Sequence, residues 1–200
     1  LIVITPSHQS AIGLITPFER IGVPVLVLQH PDIPAILRNI RLLAQATATE
    51  AAADALIAAF EHTLSTIDRR LAGVPRRTVY LETAAAARGA FQTVGSGHYA
   101  NDALRLGGGE NVFADLHGAQ QVSGEAILLR NPQTIIALQQ VPRPAALIAQ
   151  RPGWASLRAA RDGRITVLER GHKLIPGPRQ LEAVLAYAQA LHPECFEDAQ

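Results

Sequence analysis

The chain has 200 residues, 48% of them hydrophobic and 18% charged, with 15 glycines, 13 prolines and a formal net charge of +1. That describes a globular chain long enough for one large core or two small ones, and so slight a charge removes the electrostatic case for nucleic acid. The one cysteine, Cys195, has no partner for an internal disulfide, and there is no run of about 18 apolar residues to span a membrane.

The chain opens inside an apolar run, Leu1-Ile2-Val3-Ile4, with no methionine and no charged leader, which reads as a fragment or a processed product. Leu1 to Thr5 and Pro24 to Leu28 are strand candidates, with Ile12 to Ile21 as the helix between them. Their Val/Ile/Leu runs are continuous rather than alternating, the pattern of strands buried on both faces of a parallel sheet. Asp32 is placed to cap the next helix, Pro34 fits its first turn, and Ile36, Leu37, Ile40 and Leu43 share one face.

Thr47 and Glu50 have capping-box spacing ahead of an amphipathic stretch carrying Ala53, Leu56, Ile57, Phe60, Leu64, Ile67 and Leu71, which Gly73 and Pro75 stop. A helix over 48–72 would be about 37 Å long at 1.5 Å per residue. Such a rod either joins two lobes or lies across a single sheet.

A second α/β cycle follows. Thr78 to Glu82, Thr134 to Leu138 and Arg164 to Leu168 are strand candidates, while Tyr99 to Leu106, Trp154 to Ala160 and Arg179 to Leu191 are helical. Ala145 to Ile148 fits either state, and Ala84 to Ala87 reads as an alanine-rich loop or turn. Strands alternating with helices imply a second parallel sheet. Gly107 to Gly109 is expected to end the Tyr99 helix through a left-handed residue.

Four local motifs stand in order within this second half. Gly95-Ser96-Gly97 precedes the short helix closed by Gly107-Gly108-Gly109-Glu110-Asn111; Gln121-Val122-Ser123 leads into Glu125; Asp162-Gly163 precedes Arg164-Ile165-Thr166-Val167; and Pro176-Gly177-Pro178-Arg179 opens the last helix. In order and spacing the series resembles the periplasmic substrate-binding proteins of ABC importers for cobalamin, haem or ferric siderophores. The resemblance implies an α/β fold of two Rossmann-like lobes with parallel sheets, joined by one long α-helix. It makes residues 1–46 the end of an N-terminal lobe that is incomplete in this chain, 47–74 the connecting helix and 75–200 the C-terminal lobe.

What the resemblance implies for function is capture and delivery, not catalysis. The protein would be a periplasmic monomer with no cofactor of its own. It would hold a small metal chelate containing iron or cobalt between its lobes and pass it to an ABC transporter permease in the inner membrane. A glutamate at the position of Glu125 pairs, in that family, with permease arginines, so Glu125 is the docking candidate; a charge there gives register more than affinity. Glu125 also suits the first turn of its own helix, and both roles are compatible.

The family's cleft wall is built from loops that follow strands, which here hold Arg88 and Phe91, His98 and Tyr99, and His172 and Lys173. Arg and Lys suit carboxylates, catecholates or phosphate, and Tyr or His suits haem iron or a ring face. Gly95 and Gly97 permit a turn that presents backbone N–H groups beside a helix start, a setting for an anionic or carbonyl-rich ligand. Each residue also has a plainer reading as a solvated loop side chain or a core contact, and Trp154 reads as packing. Gln-Val-Ser-x-Glu and the glycine turn are closest to the cobalamin branch, although His117-Gly118-Ala119 stands where aromatic cleft residues would be expected.

The rival reading is an α/β enzyme with a nucleotide or metal cofactor in the cleft, since fold alone never settles function. The chain has no Gly-rich strand-to-helix fingerprint, no Walker loop and no Gly-x-Ser-x-Gly elbow, and Asp102 and Asp115 have no spacing that makes them a carboxylate pair.

Overall fold

The computed structural model describes residues 1–5, 11–85 and 90–197. Strand β1 (Ile2–Ile4) pairs in parallel with β2 (Val25–Val27), with α1 (Ala11–Arg20) between them in the chain. Helix α2 (Ile33–Thr47) opens as its sequence dictates: Asp32 accepts the Ala35 N–H at 2.7 Å and Pro34 sits in the first turn.

The next junction differs from the sequence expectation. Thr47 is not the cap of a following helix but the last residue of α2, its hydroxyl donating to the Leu43 carbonyl at 2.8 Å. Ala48 then takes a left-handed φ of 53°, and α3 (Glu50–Arg70) starts from Thr49 without a side-chain cap. The reversal lets α2 and α3 share a core, where Ile36, Leu37, Ile57 and Phe60 are buried together. That packing outweighs the local preference at Ala48, because a left-handed alanine costs only about 1–2 kcal/mol. At 21 residues α3 is about 31 Å long. It does not stand clear as a free rod, since the same core continues through Ile67 to Leu104 and Tyr187.

The rest of the chain builds two sheets. In the first, β3 (Arg77–Glu82), β6 (Gly109–Asn111), β8 (Thr134–Gln139) and β9 (Ile165–Glu169) run parallel in the order β6-β3-β8-β9. Val79, Tyr80, Leu81, Ile135, Ile136 and Ala137 are all fully buried, which is why the central strands β3 and β8 read as apolar runs. In the second, β4 (Ala84–Ala85), β5 (Ala90–Val94) and β7 (Ala119–Ser123) are antiparallel in the order β4-β5-β7. Ala84–Ala85 is therefore a short strand rather than loop, while 86 and 87 lie outside the described residues.

Helices α4 (Tyr99–Leu106), α5 (Gly124–Arg130), α6 (Ala146–Ala149), α7 (Arg158–Arg161) and α8 (Gln180–Leu191) complete the architecture. The stretch expected as one helix over Trp154 to Ala160 is instead a 3-10 turn at Trp154–Ser156 followed by α7, because Leu157 is extended at φ −62° and ψ 143°. Gly108, at φ +85°, is the left-handed residue after α4, with Gly109 already in β6. A second core gathers Tyr80, Phe113 and Trp154, Tyr80 meeting both other rings edge-on. Among the described residues no helix is long and apolar enough to cross a membrane.

Candidate functional site

The carboxyl ends of parallel strands are where open α/β sheets bind ligands, because loops and helix starts gather there. Chain immediately beyond β1 and β2 supplies Thr5 and Gln29-His30-Pro31, and these face Gly97-His98-Tyr99, Gly118-Ala119 and Pro176 across a cavity of about 470 Å³. The cavity thus lies between the β1–β2 part of the molecule and the larger sheets. Its size falls within the roughly 300–1,000 Å³ of small-molecule sites.

His98 is the N-cap of α4: its Nδ1 accepts the Ala100 N–H at 3.1 Å. Burial pushes its pKa down to about 4, so near neutral pH the ring is uncharged, and with Nδ1 accepting, Nε2 carries the proton. His98 therefore offers an N–H donor without a positive charge. Tyr99 stacks on it at 4.4 Å between ring centroids. The Tyr99 hydroxyl donates to the Leu174 carbonyl at 2.7 Å, and burial raises its pKa to about 12, partly offset by the charge of Arg170. As a buried phenol with its proton committed, Tyr99 presents ring surface rather than an anionic oxygen. His30, on the opposite wall, has its pKa lowered by burial.

The glycine turn is tied to the 116–118 segment. The Gly95 N–H bonds to the Gly118 carbonyl and the Ser96 N–H to that of Leu116, both at 2.8 Å, so these donors are consumed within the protein. A side chain on Gly95 would meet the Leu116 carbonyl oxygen at 2.1 Å, and one on Gly97, at φ +69°, would meet the His117 ring at 2.1 Å. Glycine is required here by close approach of the 116–118 segment.

The remaining described candidates do not themselves line this cavity. Phe91 points into the core against Trp154, with ring centroids 5.0 Å apart. His172 is half-buried and turned to Glu182 at 2.6 Å, while Lys173 is half-buried in the same 3-10 turn and makes no ion pair among the described residues. The turn is held by buried Gln180, whose amide donates to the carbonyls of His172, Lys173 and Ile175. Arg88 lies outside the described residues. Glu125 is exposed in the first turn of α5, its pKa lowered by its own backbone N–H and by the Ser123 hydroxyl. Leu129, one helical turn on, is 87% exposed. Asp102 and Asp115 are separate, each bound to its own arginine, Arg105 and Arg130.

Sequence reasoning missed Thr5, Gln29, His30 and Pro31, and also a larger cavity of about 560 Å³ over the ends of β3, β8 and β9. Its walls include Glu82, Gln139, Arg143, Arg151 and Arg170. Glu82, 1% exposed, accepts both arms of the Arg151 guanidinium at 2.5 and 2.8 Å, and that guanidinium lies over the Trp154 and Phe91 rings at 4.5 and 4.9 Å. The signal available in the sequence was position: each missed residue, apart from the arginines at 143 and 151, ends a strand or follows one within a few residues.

A sequence profile of the periplasmic binding proteins matches residues 17–170. The ABC transporter substrate-binding lipoprotein YvrC of Bacillus subtilis is 23% identical over 200 residues, covering 96% of this chain and 62% of its own. The molybdate-binding protein MolA of Haemophilus influenzae is 32% identical over 110 residues, 53% of this chain and 31% of its own. The chain thus spans less than two thirds of the length of either relative. The structure of the vitamin B12 binding protein BtuF of Vibrio cholerae superposes with a TM-score of 0.77 at 22% identity, covering 99% of this chain and 74% of that one. At that identity the likeness speaks to the fold alone.

Proposed function

Because the chain belongs to the periplasmic binding protein family, we propose that it is the ligand-capturing part of an ABC importer, working outside the cytoplasmic membrane and handing a metal-containing small molecule to a permease. The observation that carries this reading is the cavity of about 470 Å³ in which loops after β1 and β2 meet the start of α4. Binding there needs no catalytic group: His98 supplies one neutral donor, Tyr99 a ring face, and Gln29 and Thr5 further hydrogen-bonding groups. MolA takes molybdate and BtuF takes vitamin B12, ligands that share a metal and little else, so the family leaves the ligand class open.

Residues 1–46, 47–74 and 75–200 act in this reading as one lobe's end, the connecting helix and the other lobe. Glu125, exposed on α5 beside Leu129, is the docking contact for the permease, where a carboxylate meets arginine and the leucine is covered. His172 and Lys173 would contribute at the rim, near Pro176.

The test is equilibrium binding of the full protein to haem, cyanocobalamin and ferric siderophores by titration calorimetry and absorption spectroscopy. Stoichiometric binding of one class, weakened by His98→Ala, is expected. Steady turnover of a small molecule without stoichiometric binding would overturn the reading. For docking, Glu125→Arg should reduce uptake in cells while leaving ligand affinity in solution unchanged; undiminished uptake would remove Glu125 from that role.

A further inference from the structure

A third cavity, of about 340 Å³, lies where the edge strand β6 meets α4, and it shares no residue with the two cavities already described. Hydrogen bonding leaves it rich in donors and poor in acceptors. The Arg77 N–H bonds the Gly108 carbonyl and the Val112 N–H bonds that of Val79, so the alternation of the parallel ladder turns the N–H and C=O of Gly109 and Asn111 to the open side of β6. Both outward carbonyls are already taken: Arg76 Nη1 donates to that of Gly109 at 3.3 Å, and the Ala114 N–H to that of Asn111 at 3.1 Å. Arg76 also donates to the Arg105 carbonyl at 2.6 Å, and Asn101 Oδ1 accepts Asn111 Nδ2 at 2.8 Å. The donors left over are the two outward N–H groups, the Asn101 amide nitrogen, and the nitrogens of Arg76 and Arg105 not engaged by these carbonyls or by Asp102. Glu110 is the one open acceptor, an exposed carboxylate that has no ion pair among the described residues.

We propose that this cavity is a second binding site, separate from the capture cavity, that takes a small organic anion by its carboxylate or phosphate head. A peptide strand adding to the edge of β6 would need outward acceptors as well as donors, and both outward carbonyls are occupied. An oxyanion only accepts, so it can use the leftover donors and asks for nothing else. The guanidinium of Arg76 is already fixed by two carbonyls, which holds its remaining nitrogens ready for such a group. Glu110 opposes the anion only weakly, because an exposed charge is screened by water and salt. The volume leaves room for a compact organic body behind the head. Helix α4 connects the two sites, with His98 capping its start at the capture cavity and Arg105 in its last turn at this one.

The experiment is a titration of the full isotope-labelled protein with benzoate, phenyl phosphate and the neutral benzamide, read at the backbone amide resonances of Gly109 and Asn111. Both resonances should move with benzoate or phenyl phosphate and stay still with benzamide, and the tighter of the two anions identifies the head group. The affinity should fall as salt rises. Arg76→Gln should weaken binding roughly threefold to tenfold, as expected for an exposed charge-assisted hydrogen bond. Glu110→Gln removes the opposing charge from an exposed position and should tighten it, a gain that does not depend on how well the Arg76 variant folds. Arg170→Gln, in the larger cavity, should change nothing at these two amides. Still resonances with both anions, an equal response to benzamide, or an affinity indifferent to Glu110→Gln would each overturn the site. None of these results touches the capture reading, which rests on other residues.

Discussion

Asp102 Oδ2, in the first turn of α4, accepts the backbone N–H of Ile33, the first residue of α2, at 3.0 Å. One carboxylate thus closes the exposed start of a helix that belongs to the other side of the cavity. Its second oxygen takes Arg105 at 2.7 Å. The negative charge lies at the positive end of the α2 dipole, and it is only 13% exposed.

Asp102→Ala should cost about 1–2 kcal/mol in a urea unfolding curve, the usual value of a lost helix cap. Asp102→Asn, which keeps an acceptor but loses the charge, should cost about half that. Hydrogen exchange at Ile33 should speed up in the alanine variant, and an unaltered rate there would show that the contact contributes nothing.

The Glu82–Arg151 pair gives a larger effect. Glu82→Ala leaves a mostly buried guanidinium, 18% exposed, without its counter-charge, and removal of one partner from such a pair costs about 3–5 kcal/mol. The double variant Glu82→Leu with Arg151→Met should recover most of that loss. If the double variant is as unstable as the single, the pair is not acting as a mutually compensated unit.

The pH dependence follows from His98. Its folded pKa is depressed to about 4 against an ordinary 6.5, so between those values the unfolded chain binds the proton more readily than the folded one. Its contribution to stability is complete above pH 6.5 and is lost progressively as pH falls toward 4, by an amount on the order of 3 kcal/mol. His30 and the carboxylates Asp115, Glu125 and Glu182 have lowered values too and add to acid sensitivity. The difference between wild type and His98→Asn, which retains a capping side chain, isolates the His98 share. Parallel stability–pH curves for the two would contradict the buried-neutral assignment.

Gly95 and Gly97 should respond differently to alanine. At Gly95 the obstacle is the Leu116 backbone carbonyl, which cannot turn aside; at Gly97 it is the His117 side chain, which can. Gly97→Ala retains the strain of its φ of +69°, about 1–2 kcal/mol, and adding His117→Ala should remove the clash but not that residue of strain. Gly95→Ala should be the more destabilising by thermal melting and should not be relieved by His117→Ala.

The central parallel strands β3 and β8 were legible because full burial writes itself as an unbroken apolar run, as in Tyr80-Leu81 and Ile135-Ile136-Ala137, whereas the parallel edge strand β6, Gly109-Glu110-Asn111, carries no such run. The strands β5 and β7 were not. AFQTV and AQQVS bury only part of their side chains and pair antiparallel, so neither shows a continuous run. The break at Ala48 was hidden because alanine is the last residue to suggest a left-handed cap. His98 and Tyr99 were legible as residues beside a glycine turn, but the wall opposite them is formed by Gln29, His30 and Pro31, whose only mark is following a strand. Phe91 was ambiguous in sequence because a loop aromatic and a core aromatic look alike; its contact with Trp154 places it in the core.

Helix α3 sends Ile57 and Phe60 toward α2 and Ile67 toward the interior that holds Leu104 and Tyr187, all within one apolar cluster. A spine rooted on both sides resists bending, because any swing would have to break side-chain interlocking rather than turn a few loop dihedrals. If the chain captures a ligand as proposed above, binding would be a matter of local tightening around a nearly constant frame. Small-angle scattering curves with and without ligand should then superpose, the change on binding lying in the stiffness of the mouth rather than in the silhouette.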